Sequence, residues 1–205
     1  MGEFVAMSGV SKASRRDVLQ CLEEFAVSHG GKMAPAPDGQ PFDHLILDGE
    51  DFGPITVMYP DGFFGWDEAA SHLSKSLGVP VISLHIHDGD LWMYVLYRDG
   101  EEVDQFNPIP DYWSEDLSPE ERSSWAGDAG VVAENWDGID AASIERYLMT
   151  WDLDDVEPGK AYEDDEYPMG DCWQLMDFIR KLGLIYPVDG QGKAAGETYA
   201  FEASL

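Results

Sequence analysis

Between Val79 and Phe106 the chain runs through β-prone stretches separated by Asp-Gly turns, and no other stretch restricts the fold as much. Asp88-Gly89 is a two-residue hairpin signal that favours a type I′ turn. A loop of that length sets His87 opposite Asp90, Ile86 opposite Leu91, His85 opposite Trp92 and Leu84 opposite Met93. One face then carries Ile82, Leu84, Ile86, Leu91, Met93 and Val95, all apolar, and a slip by one residue would lose the match. Arg98-Asp99-Gly100 suits a three-residue loop with glycine in the left-handed position. That loop sets Val103 opposite Val95, Tyr94 opposite Asp104 and Trp92 opposite Phe106. The second face therefore carries His85, His87, Asp90, Trp92, Tyr94, Asp104 and Phe106. Such an aromatic and polar face is either covered by a helix or offered to a partner.

The flanking chain supplies helices and further strands. Val18, Leu19, Leu22, Phe25 and Ala26 recur at helical spacing behind Ser14, and Gly30-Gly31 ends that helix. Met33 to Pro41 reads as a loop, Phe42 to Leu47 and Ile55 to Tyr59 as strands, and Asp67 to Leu77 as a second helix capped by Gly78. Beyond Pro108 the pattern predicts short helices at Pro119–Trp125, Ala129–Asn135 and Ala141–Met149, and a last one at Asp171–Leu182. The expected fold is α+β: an antiparallel meander sheet of about five strands packed against helices, with a helical, Trp-rich C-terminal part. Residues 13–186 are expected to form one domain. Residues 1–12 read as a flexible N-terminal segment, in which Met1-Gly2-Glu3-Phe4 resembles a cloning remnant and Met7 an alternative start. Residues 187–205, rich in Gly and Ala, read as a loosely held tail.

Charge narrows the function. Asp and Glu number 41 against 12 Lys and Arg, a formal charge of -29. Nucleic-acid affinity comes mostly from Lys and Arg neutralising phosphates, so ordinary DNA or RNA binding is excluded, as is docking on an anionic membrane. Basic protein partners and cations are favoured. The aromatic content of 12% sets the chain apart from disordered acidic proteins. Cys21 and Cys172 form no CxxC pair and no disulfide framework, which fits a reducing cytoplasm. No apolar run approaches the roughly 20 residues of a membrane span, and no secretory signal is recognisable.

Three segments carry residues with chemical potential. His85-Ile86-His87 places two imidazoles on one side of a strand with Asp90 just beyond, a candidate set for a divalent metal. Gly170-Asp171-Cys172-Trp173 resembles the nucleophile motif of calpain-type proteases, but no histidine follows Cys172 to act as base. The run Asp152, Asp154, Asp155, Glu157, Glu163, Asp164, Asp165 and Glu166 lacks EF-hand spacing and reads as a solvated acidic face.

The stretch Leu91-Trp92-Met93-Tyr94-Val95-Leu96-Tyr97-Arg98-Asp99-Gly100-Glu101, continuing to Asp104-Gln105-Phe106, resembles the meander of small acidic bacterial proteins of uncertain function, including immunity proteins of the SUKH type. The resemblance implies a non-enzymatic binding protein without a cofactor, an immunity-like inhibitor of a basic toxin or nuclease. The mechanism would be electrostatic steering beside an aromatic anchor. From residue chemistry, the expected contact set is Trp92, Tyr94, Asp104, Phe106, Asp111, Tyr112 and Trp113, with Asp154, Asp155, Asp164 and Asp165 for steering. The alternatives are a DNA mimic, whose carboxylates imitate phosphates, and a metal-dependent hydrolase using His85 and His87.

Overall fold

The computed structural model describes residues 2–114, 116–152 and 159–204. Its centre is an antiparallel sheet in the strand order β2-β8-β3-β4-β1-β5-β6-β7. The strands are β1 (Val5–Val10), β2 (Lys32–Pro35), β3 (Leu45–Gly49), β4 (Ile55–Met58), β5 (Val81–His87), β6 (Leu91–Arg98), β7 (Glu101–Phe106) and β8 (Glu197–Glu202). The class is α+β as expected, with eight strands among the described residues where the sequence suggested about five.

The additional strands come from segments expected to be loose. Val5–Val10 is an interior strand, with Met7 opposite both Met58 of β4 and Leu84 of β5. Met33, expected in a loop, lies in β2 opposite Phe201, and Leu45 of β3 lies opposite Tyr199 on the other side of β8. The presumed tail therefore holds the sheet together between β2 and β3. Its Thr198-Tyr199-Ala200-Phe201 core has the alternation and β-formers of a strand, and Tyr199 and Phe201 are buried.

Helices cover one face of the sheet. In α1 (Arg15–Ser28) the Ser14 side chain caps the first turn by accepting from the Asp17 amide, and Val18, Cys21, Leu22, Phe25 and Ala26 are buried. In α2 (Trp66–Leu77) the buried stripe is Ala69, Ala70, Leu73 and Ser74, and Gly78 closes the helix at φ 65°. Both pack on Leu45, Leu47, Ile55, Val57, Tyr59 and Val81. Each large apolar side chain buried here contributes roughly 1.5–3 kcal/mol.

The other face is covered by the C-terminal part, which holds α3 (Pro119–Ser124), itself without a buried residue, α4 (Ala129–Asn135), 3-10 turns at Ala141–Ser143 and Glu145–Tyr147, and α5 (Gln174–Lys181). Trp136, Tyr147, Leu175, Phe178 and Leu184 join Met7, Ile82, Leu84, Ile86, Trp92, Tyr94 and Phe106 in one apolar cluster. A Cβ at Gly9 would lie 2.4 Å from Leu184 Cδ1, so glycine lets this layer close onto β1.

The meander is present, but its register differs from expectation. Asp88 and Gly89 adopt φ 52° and 74°, and the Asp90 amide donates to the His87 carbonyl, as a type I′ turn requires. The ladder nevertheless absorbs Asp90 as an extra residue: His87 lies opposite Leu91, Ile86 opposite Trp92, His85 opposite Met93 and Leu84 opposite Tyr94. In the second hairpin Asp99-Gly100 is the whole loop, with Arg98 opposite Glu101. An irregularity between Leu96 and Tyr97 skips Val103, leaving it exposed and placing Tyr94 opposite Phe106. Trp92, Tyr94 and Phe106 therefore share a face with Leu84 and Ile86, not with His85 and His87.

Candidate functional site

This slip buries three of the seven expected contact residues. Trp92, Tyr94 and Phe106 are each at most 1% exposed beneath the C-terminal layer, out of reach of a partner in this fold. Tyr94 stacks on Phe178 at 5.6 Å, and its hydroxyl donates to Asp104 Oδ2 at 2.5 Å. Trp92 Nε1 donates to Gln174 Oε1 at 3.2 Å. Asp104 also accepts the Asp128 amide, and burial holds its carboxyl above the usual range.

The acidic steering residues divide. Asp154 and Asp155 lie outside the described residues. Asp164 is exposed and pairs with Lys181 at 2.9 Å, a contact that holds its carboxyl below the usual range. Asp165 is buried: it accepts the Tyr147 hydroxyl, and its Oδ2 accepts the Tyr162 amide at 2.8 Å. Its neighbour Asp177 accepts the Glu166 and Tyr167 amides and pairs with Arg180 at 2.8 Å. These two buried carboxylates pin the 162–167 loop to α5, so Asp165 is structural and not a steering charge.

The remaining expected residues meet at one end of the sheet, with companions that sequence reading missed. His87 contacts Tyr112 at 5.6 Å and Trp113 at 5.1 Å between ring centroids, and Phe4 at 5.1 Å from the N-terminal side. Tyr112 donates to Asp90 Oδ2 at 2.5 Å, and Asp111 pairs with Arg122. That bond to Asp90, with its nearby charge, pushes the Tyr112 phenol up to about 12. Beside His87, the His85 ring lies 4.4 Å from Trp66.

His85 also lines a cavity of about 330 Å³ with Phe4, Ala6, Tyr59, Asp61, Phe63, Phe64 and Trp66. Local chain geometry builds it. Pro60-Asp61-Gly62 turns out of β4, with Gly62 at φ 79° and the Phe63 amide on the Pro60 carbonyl. Phe63 points inward and Phe64 outward, at 9% and 78% exposed, and Trp66 opens α2. Tyr59 is fixed by a 2.9 Å bond between its hydroxyl and Ser8 Oγ. The doubled aromatic at Phe63-Phe64, ahead of Gly65-Trp66, is the signal by which the sequence could have given the site away.

Electrostatics at the cavity are asymmetric. His85 is 7% exposed, and burial together with His87 pushes its pKa down to about 4, so the ring is neutral near pH 7. Among the described residues the His85 ring nitrogens have no hydrogen-bond partner. Asp61 stands at the rim, its carboxyl raised by partial burial and by Asp43.

The catalytic alternatives find less support. Among the described residues no group of three or more His, Cys, Asp or Glu is placed to hold a metal ion, and Asp90 is engaged by Tyr112. Cys172 is buried, and burial with Asp171 and Glu3 pushes its thiol up to about 11, the reverse of an activated nucleophile. A larger, shallower groove of about 890 Å³ runs along α1 and β2, and Arg15, Asp51 and Glu197 of its charged lining are matched internally. Arg15 reaches Gly49 O and Glu197, and Asp51 accepts the Arg15 amide. Among the described residues no helix is long and apolar enough to cross a membrane. Searches of family models, curated proteins and solved structures find no significant match to this chain.

Proposed function

We propose that the protein is a non-enzymatic, acidic binding protein that engages a basic protein partner, in the manner of an immunity-like inhibitor. One observation carries this reading: exposed aromatic side chains beside exposed carboxylates at the His85/His87 end of the sheet. Phe4, Phe64 and Trp113 are 46%, 78% and 54% exposed, and Glu3, Asp61, Asp88 and Asp90 are exposed around them. Large aromatics are costly to leave in water and are enriched at the anchoring points of interfaces. The charge of -29 supplies long-range attraction for a cationic surface and speeds encounter.

The test compares immobilised wild-type chain with a Phe4→Ala/Phe64→Ala/Trp113→Ala variant for retention of basic proteins across a salt series. The reading expects a fraction that the wild type holds at physiological salt and the variant releases. Identical retention profiles for the two chains would reduce the acidity to unspecific attraction and refute the proposal.

A further inference from the structure

We infer that the cavity beside His85 is a receptor for one arginine side chain of the basic partner, the guanidinium stacking on Trp66 and donating to the His85 ring and to Asp61. This inference rests on the basic-partner reading and names the group that reading leaves open.

The cavity itself argues for the occupant. At about 330 Å³ it is at the small end of ligand pockets, sized for a side chain and not for a dinucleotide. Its walls are the rings of Phe4, Tyr59, Phe64 and Trp66, whose faces carry the negative end of the aromatic quadrupole and attract cations. The His85 ring is the second, independent observation. The residue is only 7% exposed, yet its ring nitrogens have no hydrogen-bond partner among the described residues and are not among the fully enclosed unpartnered atoms, so they stay accessible to an incoming group. A neutral imidazole has one N–H donor and one acceptor nitrogen, and the acceptor can take an N–H from an incoming guanidinium. Asp61 adds a carboxylate at the rim, and among the described residues no Lys or Arg lines the cavity to compete for it.

A flat donor fits better than a compact one. Guanidinium is planar, weakly hydrated and stacks on aromatic faces while donating in its own plane. An ammonium is strongly hydrated and loses more on entering an aromatic pocket. Charge complementarity excludes an acidic occupant, since the rim and the protein as a whole are negative.

The experiment uses the full chain and a small probe, Nα-acetyl-arginine amide, followed by NMR of the His85 imidazole. The chain has only 5 histidines, so the ring signals can be resolved and assigned. The expected result is a saturable shift of His85 at millimolar probe, with the citrulline amide, isosteric but uncharged, at least about tenfold weaker. Phe64→Ala and Asp61→Asn, both at exposed positions, are expected to weaken arginine binding by roughly three- to tenfold each, the size of a cation–π contact or a charge-assisted bond. Equal binding of citrulline, equal or tighter binding of Nα-acetyl-lysine amide, or no shift of His85 would each overturn the assignment. The retention experiment above keeps the two proposals separate. Retention without probe binding removes the arginine site and leaves an acidic binding protein. Probe binding without retention leaves a guanidinium site and removes the protein partner.

Discussion

Acidifying the protein from pH 6.5 to 4 is expected to cost about 3 kcal/mol of folding stability through His85 alone. In the unfolded chain this imidazole takes up a proton near its ordinary value of 6.5, and in the folded chain only near 4. Between those values the unfolded state binds the proton and the folded state does not, so acid favours unfolding. Above pH 6.5 both states are neutral and the effect is absent; below 4 both are protonated and the loss levels off. Each pH unit within the window is worth about 1.4 kcal/mol. Other groups work the opposite way: Asp61, Asp67, Glu102 and Asp104 all have raised carboxyl pKa values, and such groups gain stability as they protonate. Relief of the large negative charge adds to that gain. The wild-type curve therefore mixes the contributions, and His85→Gln isolates one. Urea denaturation of both chains at half-unit steps from pH 7.5 to 4 gives their stability difference at each pH. That difference should be constant above pH 7 and move by about 3 kcal/mol in favour of the variant across the window. A difference that does not change with pH, or an NMR titration of the folded His85 ring centred near 6.5, would refute the burial argument.

Other outcomes follow from the packing. Deleting residues 190–205 removes β8 from between β2 and β3, and is expected to abolish cooperative urea unfolding, whereas a dispensable tail would leave the transition unchanged. Tyr94→Phe deletes the donor to the partly buried Asp104 and should cost about 1–3 kcal/mol by chemical denaturation. A Cβ at Gly31 would fall 1.7 Å from the Glu202 carbonyl oxygen, so Gly31→Ala should destabilise by roughly 1–3 kcal/mol or more, seen as a lower Tm. Cys172, 4% exposed and with its thiol pushed up to about 11, should resist iodoacetamide at pH 7.5 in the native protein and react readily in urea.

The α-helices could be read from the sequence because their signals are local, whereas the helix expected at Ala141–Met149 is two 3-10 turns, Ala141–Ser143 and Glu145–Tyr147. Ser14 caps α1, Gly78 closes α2, and the apolar stripes between them fall on one face each. The meander's strands could be read for the same reason, but not its register. Leu91-Trp92-Met93-Tyr94-Val95-Leu96 is apolar at every position because the sheet is covered on both faces, so alternation cannot choose between facings. Asp90, absorbed between a normal turn and the ladder, decides the matter, and nothing local marks it. The slip moved Trp92 and Tyr94 from the expected contact face into the core. The site was half legible. His87, singled out as a metal ligand, meets Tyr112 and Trp113, singled out as contact residues, while Phe4, Phe64 and Trp66 arrive from distant segments that only the sheet brings together. β8 was hidden by its Gly- and Ala-rich surroundings, although the Tyr199 and Phe201 alternation was there to be seen.

The place of β8 also bears on how this chain is made. During synthesis β1, β3, β4 and the meander can assemble while β3 still shows one bare edge and β2 has no strand to join. Residues 32–35 and 45–47 must wait for more than a hundred further residues before Glu197–Glu202 emerges and pairs with both. Throughout that interval a nascent chain presents an open strand edge, the kind of surface that joins to neighbouring chains. Lys32 and Pro35 on β2 and the dense negative charge would keep such chains apart until the last strand arrives. On this view the acidity that the proposed basic partner would respond to first protects the protein from copies of itself.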